Sequence, residues 1–249
     1  MLYYLGLIAA AAFGAIFGSY GTLFTYRLPR NESCFGRYFG PKSRCPKCGT
    51  IIRTRELIPI FNWLFTRGKC RICQAQIPLI YLAIEISTAL LFTLCYIRFG
   101  FGEYFIIFAI FCAACVVLLA IDYSWQIWSN LILNAALICA ISARLLQDGQ
   151  IFDLIISAAF GVVAATIFYE IFHKKCQNFL PNQARAFGFA QFIIIVSIIF
   201  SLPLFICYFS LILLIFALTF ISSKDKEIGK DAGFALVLPS LFLIFNPFI

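Results

Sequence analysis

Long apolar stretches alternate with short polar ones along almost the whole chain. The apolar stretches cover about residues 2–24, 78–98, 104–121, 127–146, 151–172, 187–202, 204–221 and 232–249. Most of them approach the roughly 17–25 residues that an α-helix needs to cross a bilayer. The pattern predicts an all-α fold, a polytopic membrane bundle of about eight transmembrane helices. A composition of 63% hydrophobic and 12% charged residues agrees with this class.

One polar interval, residues 25–77, is much longer than the others and contains paired cysteines. We therefore predict a first transmembrane helix over residues 1–24, a cytoplasmic metal-binding loop over residues 25–77 and a helical membrane bundle over residues 78–249. The first apolar stretch has no basic segment before it, which is typical of a retained span rather than a cleaved signal.

Lysine and arginine are distributed very unevenly between the loops. If successive loops face opposite sides, one side holds 17 of the 19 Lys and Arg residues, and only Arg98 and Arg144 fall elsewhere. That side receives residues 25–77, 122–126, 173–186 and 222–231. The positive-inside rule assigns it to the cytoplasm and both termini to the opposite side. The rule also accounts for the net charge of +8, so we expect the lipid bilayer, and no nucleic acid, as a partner.

Two CxxC pairs stand in the long polar interval, Cys45 with Cys48 and Cys70 with Cys73. Paired CxxC motifs at this separation predict a closed, structural zinc site with four thiolate ligands. Two disulfides or a redox dithiol are the alternatives. A reducing cytoplasm favours zinc over disulfides.

Asp122 follows an apolar run and is either an interfacial residue that marks a helix end or an acid at a membrane active site. An aspartic protease needs two carboxyl groups that share a proton. Asp231 is the nearest candidate partner on the same predicted side, although it also suits the N-cap of the last helix. Glu85 lies inside the second apolar stretch, where it faces the bundle interior or pairs with a loop arginine.

Several segments together resemble the type IV prepilin peptidases, a family of intramembrane aspartic endopeptidases. The similar segments are Gly18–Pro29, Ser43–Cys48, Ile58–Leu64, Arg67–Cys73 and Tyr81–Leu90. The resemblance implies cleavage of the leader from prepilins or pseudopilins at the cytoplasmic face of a bacterial inner membrane, with periplasmic termini. It also implies methylation of the new N-terminus with S-adenosylmethionine, and Asp122 as the first catalytic residue.

The chain departs from the family at the second catalytic motif, Gly-x-Gly-Asp. The corresponding residues are Gly188, Phe189, Ala190 and Gln191, so that Gln191 stands where the family has its second Asp. Because an amide cannot hold a proton as a carboxyl group does, we expect Asp231 to substitute if the chain is an active peptidase. The alternatives are a pseudoenzyme that acts in pilus or secretion-system assembly and a membrane thiol oxidoreductase.

Overall fold

The computed structural model describes residues 1–34, 42–147, 151–175, 183–222 and 232–245. Its α-helices are α1 (Leu2–Arg27), α2 (Phe61–Phe65), α3 (Leu79–Phe99), α4 (Glu103–Trp125), α5 (Asn130–Leu146), α6 (Ile151–Lys175), α7 (Gln183–Ile199), α8 (Leu202–Ser222) and α9 (Ala232–Phe245). Short 3₁₀ turns cover Leu28–Arg30 and Thr54–Leu57. The predicted all-α class is confirmed.

Four helical segments are long and apolar enough to cross a membrane, namely Leu2–Arg30, Leu79–Phe99, Glu103–Trp125 and Ile151–Glu170. Four more apolar segments are shorter within the described residues: Asn130–Leu146, Arg185–Ile199, Pro203–Ile215 and Gly233–Phe245. These lengths agree with a helical membrane protein, while the count of about eight spans stays a prediction.

Two predicted boundaries differ from the structure in ways that matter for the site. Asp122 does not end its helix, because α4 continues to Trp125. Arg185 does not lie in a basic loop, because α7 begins at Gln183 and Arg185 is buried. In both cases an ionic side chain is tolerated within a helix because it has a charged partner, as described below.

The chain divides into two compact units, Met1–Ala120 and Ile121–Ile249. In the first unit, α1 packs closely against α3 through a face of small residues that includes Gly6, Ala10, Gly14 and Gly18. A Cβ atom on Gly14 would lie 2.7 Å from the Cα of Ala89. This contact therefore requires glycine, as is common where membrane helices approach closely.

In the second unit, α7 packs against both α5 and α6. Trp128 precedes α5 and makes edge-to-face contacts with Phe189 and Phe192 of α7, with ring centroids 4.8 and 5.5 Å apart. Gly188 leaves room for this indole, since any Cβ there would collide with Trp128. The packing fixes the start of α7 beside the residues that follow α4.

Candidate functional site

The four predicted cysteine ligands converge in the first unit. The sulfur atoms of Cys45, Cys48, Cys70 and Cys73 all lie within 4.8 Å of one another. The Sγ atoms of Cys45 and Cys73 are 3.8 Å apart, and those of Cys48 and Cys70 are 4.0 Å apart. Both distances exceed the S–S bond length of about 2.05 Å, so these pairs are not disulfides. A tetrahedral Zn²⁺ with Zn–S bonds of ~2.3 Å requires sulfurs about 3.8 Å apart, so the cluster fits a metal ion.

Both CxxC segments fold in the same way, which explains the convergence. The N–H of Cys45 donates to the carbonyl of Thr50, and the N–H of Cys70 donates to the carbonyl of Ala75. Gly49 and Gln74, each four positions after the first cysteine of its pair, have positive φ angles of 69° and 57°. Each chain reversal therefore directs a pair of sulfurs to the same side.

The two CxxC segments share this backbone hydrogen-bond pattern, but the polar groups around their sulfur atoms differ. The Cys48 sulfur and the Thr50 hydroxyl are 3.2 Å apart. Hydrogen bonds from the side chain and then the backbone of Thr50, with smaller effects of the Cys73 and Cys45 sulfurs, lower the pKa of the Cys48 thiol to about 6. Backbone N–H groups of Cys73 and Ile72 lower the pKa of Cys70. Both effects favour the thiolate form that binds metal.

Glu85 of α3 joins this loop to the helix pair, whereas the sequence left open whether it faces the bundle interior or pairs with a loop arginine. Its Oε2 atom accepts a 2.6 Å hydrogen bond from the backbone N–H of Ile60, and the Ser19 side chain lies near the same carboxylate. Ile60 has φ 65° and ψ −55°, and the N–H of Phe61 donates to the carbonyl of Pro59 at 2.6 Å. This is a γ-turn of the strained kind, which is rare at a β-branched residue.

Asp122 forms an ion pair with Arg185 in the second unit. The guanidinium Nε donates to Oδ1 at 2.6 Å and Nη2 donates to Oδ2 at 2.8 Å. The side chains of Asp122 and Arg185 are only 1% and 2% exposed. Such a bidentate pair is the strongest type of side-chain hydrogen bonding available to a carboxylate. It explains why a charge is stable within α4.

Further groups close the space around the Asp122 carboxylate. The backbone N–H of Gly233 and the Trp128 indole also lie against it, although Trp128 Nε1 makes no hydrogen bond of ordinary geometry. A Cβ on Gly233 would collide with Asp122 Oδ2. Within the described residues, the carboxylate is therefore enclosed by one cation, one peptide N–H and aromatic surface.

The structure brings no second carboxylate into hydrogen-bond contact with Asp122 among the residues that it describes. Asp231, the predicted substitute, lies outside the described residues. Gln191 lies on α7, and its Oε1 atom is buried without a hydrogen-bond partner in the described part of the chain. The sequence interpretation missed Arg185 because it counted this residue only as a loop charge. The apolar run that follows Arg185 directly was the available signal that it belongs to a helix.

Comparison with known proteins finds one matching domain model and several similar proteins. The sequence model of the bacterial peptidase A24 N-terminal domain matches residues 12–99. A prepilin leader peptidase/N-methyltransferase of Bacillus subtilis (strain 168) is 31% identical over 159 residues, which cover 64% of this chain and 61% of that protein. A protein of the same name from Myxococcus xanthus (strain DK1622) is 38% identical over 87 residues, 35% of this chain and 25% of that protein.

A third relative of that name, from Dichelobacter nodosus, is 53% identical over 51 residues, 20% of this chain and 18% of that protein. The matches thus span about three fifths or less of these relatives' lengths. No solved structure matches. The matched region contains α1, the four-cysteine loop and α3, and the Bacillus subtilis match is longer than this region. Residues 12–99 are thus similar to the bacterial peptidase A24 N-terminal domain, and the longer match is to a prepilin leader peptidase/N-methyltransferase.

Proposed function

We propose that this chain is an aspartic endopeptidase that removes the leader from type IV prepilins or pseudopilins at the cytoplasmic membrane face. The observation that carries the proposal is the match of residues 12–99 to the peptidase domain family. The relatives described above are prepilin leader peptidase/N-methyltransferases by name. The buried carboxylate of Asp122 supplies a group of the required chemical type.

Peptide hydrolysis by two carboxyl groups assigns them different tasks. One, ionised, takes a proton from the attacking water, and the other, protonated, hydrogen-bonds the scissile carbonyl. We assign the first task to Asp122 and the second to Asp231. Because Arg185 occupies both oxygens of Asp122, we place water activation in a state in which this ion pair has opened. Gln191 cannot take either task, because its amide does not exchange a proton as a carboxyl group does.

A catalytically impaired pseudoenzyme is the rival proposal. The relatives give it no support, since the names quoted above are enzyme names. Two features of this chain fit a pseudoenzyme. Asp122 is paired with Arg185, and residue 191 is an amide, Gln191. A direct cleavage measurement decides between the two.

We infer that the cysteine cluster binds one structural zinc ion. Four thiolates complete a tetrahedral shell and leave no position for substrate. The lysines and arginines near the cluster, among them Lys47 and Arg71, partly offset the negative charge of four thiolates. The loop would be cytoplasmic and both termini periplasmic in a bacterial inner membrane, for which the distribution of 17 of 19 Lys and Arg residues is the support.

We also propose N-methylation of the product, which the relatives' names include. S-adenosylmethionine would supply a methyl group to the new α-amine, which loses a proton. The chain's own residues would then hold both the donor and the peptide N-terminus near the loop.

The test uses purified full-length chain, a prepilin with its leader, and mass spectrometry of the products. We expect cleavage by the natural sequence and none by Asp122→Asn, because an amide cannot act as the base. Asp231→Asn should lower the rate by several orders of magnitude, because the mechanism needs a second carboxyl group that shares a proton with the first. Glu103→Gln, at an exposed position of α4, is the matched control and should cleave normally. Failure of the natural chain to cleave any prepilin would establish the pseudoenzyme instead.

A further inference from the structure

Helix α2 carries an exposed apolar face, formed by Phe61, Leu64 and Phe65, within the otherwise polar loop. These residues are spaced i, i+3 and i+4, so they share one side of the helix. They are 58%, 54% and 84% exposed, and the two phenylalanine rings stack with centroids 6.4 Å apart. A contiguous exposed apolar surface is typical of a site that contacts a partner or a membrane. The described residues supply no such cover for the apolar face.

The opposite side of α2 holds the helix to the loop. Asn62 and Trp63 line the cavity that lies between the loop, α1 and α3. The Trp63 indole donates to the carbonyl of Ile77 at 3.4 Å. The same indole lies against Gly68, where a Cβ atom would be 2.6 Å from the ring. These contacts fix the orientation of α2 and leave its apolar face directed away from the loop.

The depth of α2 relative to a membrane follows from the position of its attachment to α3. Both α1 and α3 are long and apolar enough to cross a bilayer. The 21 residues of α3 extend about 31 Å, close to the ~30 Å of a hydrocarbon core. The start of α3 at Leu79 therefore lies near the border of that core. Glu85, the seventh residue of α3, stands about 9 Å further in.

The hydrogen bond between Ile60 and Glu85 brings α2 to this level. A helical side chain is directed towards the N-terminus of its helix, so the Glu85 carboxylate lies beside the first two turns of α3. Its Oε2 atom is 2.6 Å from the backbone nitrogen of Ile60, and the next residue, Phe61, begins α2. Helix α2 is therefore level with the lipid headgroups and the outer acyl chains. At that level an exposed apolar face meets lipid.

The charges next to α2 also match a membrane surface. Arg67 and Lys69 come two and four residues after the end of α2, and both are exposed. At an interface such side chains keep their stems on apolar surface and direct their charge to the headgroups. Aromatic rings together with Lys and Arg are the usual composition of segments that lie in the membrane interface. Basic side chains there favour anionic lipids.

We propose that α2 is a lipid anchor of the four-cysteine loop. Its apolar face inserts among the outer acyl chains beside α3, and Arg67 and Lys69 contact the phosphates of anionic phospholipids. The proposal takes α1 and α3 as membrane spans and does not depend on the peptidase activity. The bilayer then supports the loop together with the cysteine cluster and the hydrogen bond between Ile60 and Glu85.

The test places the photoreactive amino acid p-benzoylphenylalanine at Phe65 of the full-length chain in nanodiscs of phosphatidylcholine and phosphatidylglycerol. The substitute keeps an aromatic ring at an exposed position, so it should not disturb the packing. After irradiation, mass spectrometry identifies the molecule that the probe has joined. We expect lipid adducts at Phe65 and, in a second preparation, at Phe61. The same probe at Trp63, on the opposite side of α2, is the matched control and should join protein only.

Two results would overturn the lipid anchor. Absence of lipid adducts from both phenylalanine positions would show that the apolar face remains in water. Adducts with a second copy of the chain, or with an added prepilin in place of lipid, would show that the face is a protein-docking surface instead.

The basic residues are tested by the composition of the adducts at Phe65 at low salt. Phosphatidylglycerol should exceed its share of the lipid about fivefold, the effect of one basic residue near an anionic surface. The double variant Arg67→Gln, Lys69→Gln should bring this ratio close to one and retain the lipid adducts. Arg98→Gln, which removes an exposed charge near the other end of α3, should leave the ratio unchanged. A ratio that does not respond to the double variant would refute the headgroup contacts.

Discussion

Removing either member of the ion pair between Asp122 and Arg185 should destabilise the fold strongly, and a double-mutant cycle can measure the coupling between the two residues. Both side chains are almost fully buried, at 1% and 2% exposure, and are joined by hydrogen bonds of 2.6 and 2.8 Å. Removing one member of such a pair leaves a buried charge without compensation, which costs about 3–5 kcal/mol. We therefore expect Asp122→Asn and Arg185→Met each to reduce the free energy of unfolding by about this amount.

The double variant should recover most of the loss, because it leaves neither charge unpaired. We expect it to lie within about 1 kcal/mol of the natural chain, which gives a coupling energy of about 5 kcal/mol or more. Asp122→Asn should be the costlier single change, since a guanidinium stays charged at neutral pH whereas an unpaired carboxylate can take up a proton.

The assay is reversible unfolding in mixed micelles with increasing sodium dodecyl sulfate, followed by tryptophan fluorescence. Arg98→Met is the matched control, because Arg98 is exposed on α3; its cost should stay within about 0.5 kcal/mol. Additive costs for the two single changes, or single changes as mild as the control, would show that the ion pair does not stabilise the fold.

Three further predictions concern the rest of the molecule. Cys48→Ser should lower the metal content from one zinc per chain towards none, as elemental analysis can show, and chelation should loosen the loop to limited proteolysis; a chain fully folded without metal would contradict this. Ile60→Gly should keep or raise the unfolding midpoint, because glycine accepts a positive φ without the roughly 1–2 kcal/mol that other residues incur, and a large loss would show that the Ile60 side chain matters more than its backbone. A reporter fused within residues 173–185 should be cytoplasmic and one within residues 147–150 periplasmic; the reverse result would overturn the predicted topology.

Features with a short-range signal could be predicted from the sequence. The four cysteine ligands are such a case, since each pair needs only one chain reversal, and the predicted convergence was confirmed. The apolar stretches likewise coincide with the long helices in the described part of the chain, because a membrane helix is encoded by its own composition. The ends were less certain: the charge of Asp122 suggested a helix end, yet α4 continues to Trp125.

Contacts between distant residues could not be predicted in the same way. Asp122 and Arg185 are 63 positions apart. The local sequence around either residue does not indicate that the other is its partner. The partner of Glu85 was missed for a different reason. It is a backbone N–H exposed by an unusual turn at Ile60, and every residue except proline carries such a group, so side-chain chemistry gives no signal.

The bond between Ile60 and Glu85 also bears on the order in which the protein is made. The two residues are 25 positions apart, and the last cysteine ligand, Cys73, leaves the ribosome before Glu85 does. If the cluster binds zinc as proposed, the loop can acquire the metal and fold before α3 has fully emerged, and only afterwards attach to the helix pair. Maturation would proceed in two stages, with metal supply governing the first and membrane insertion of α3 governing the second. A cell short of zinc would then accumulate chains whose helices are inserted but whose loop is never attached.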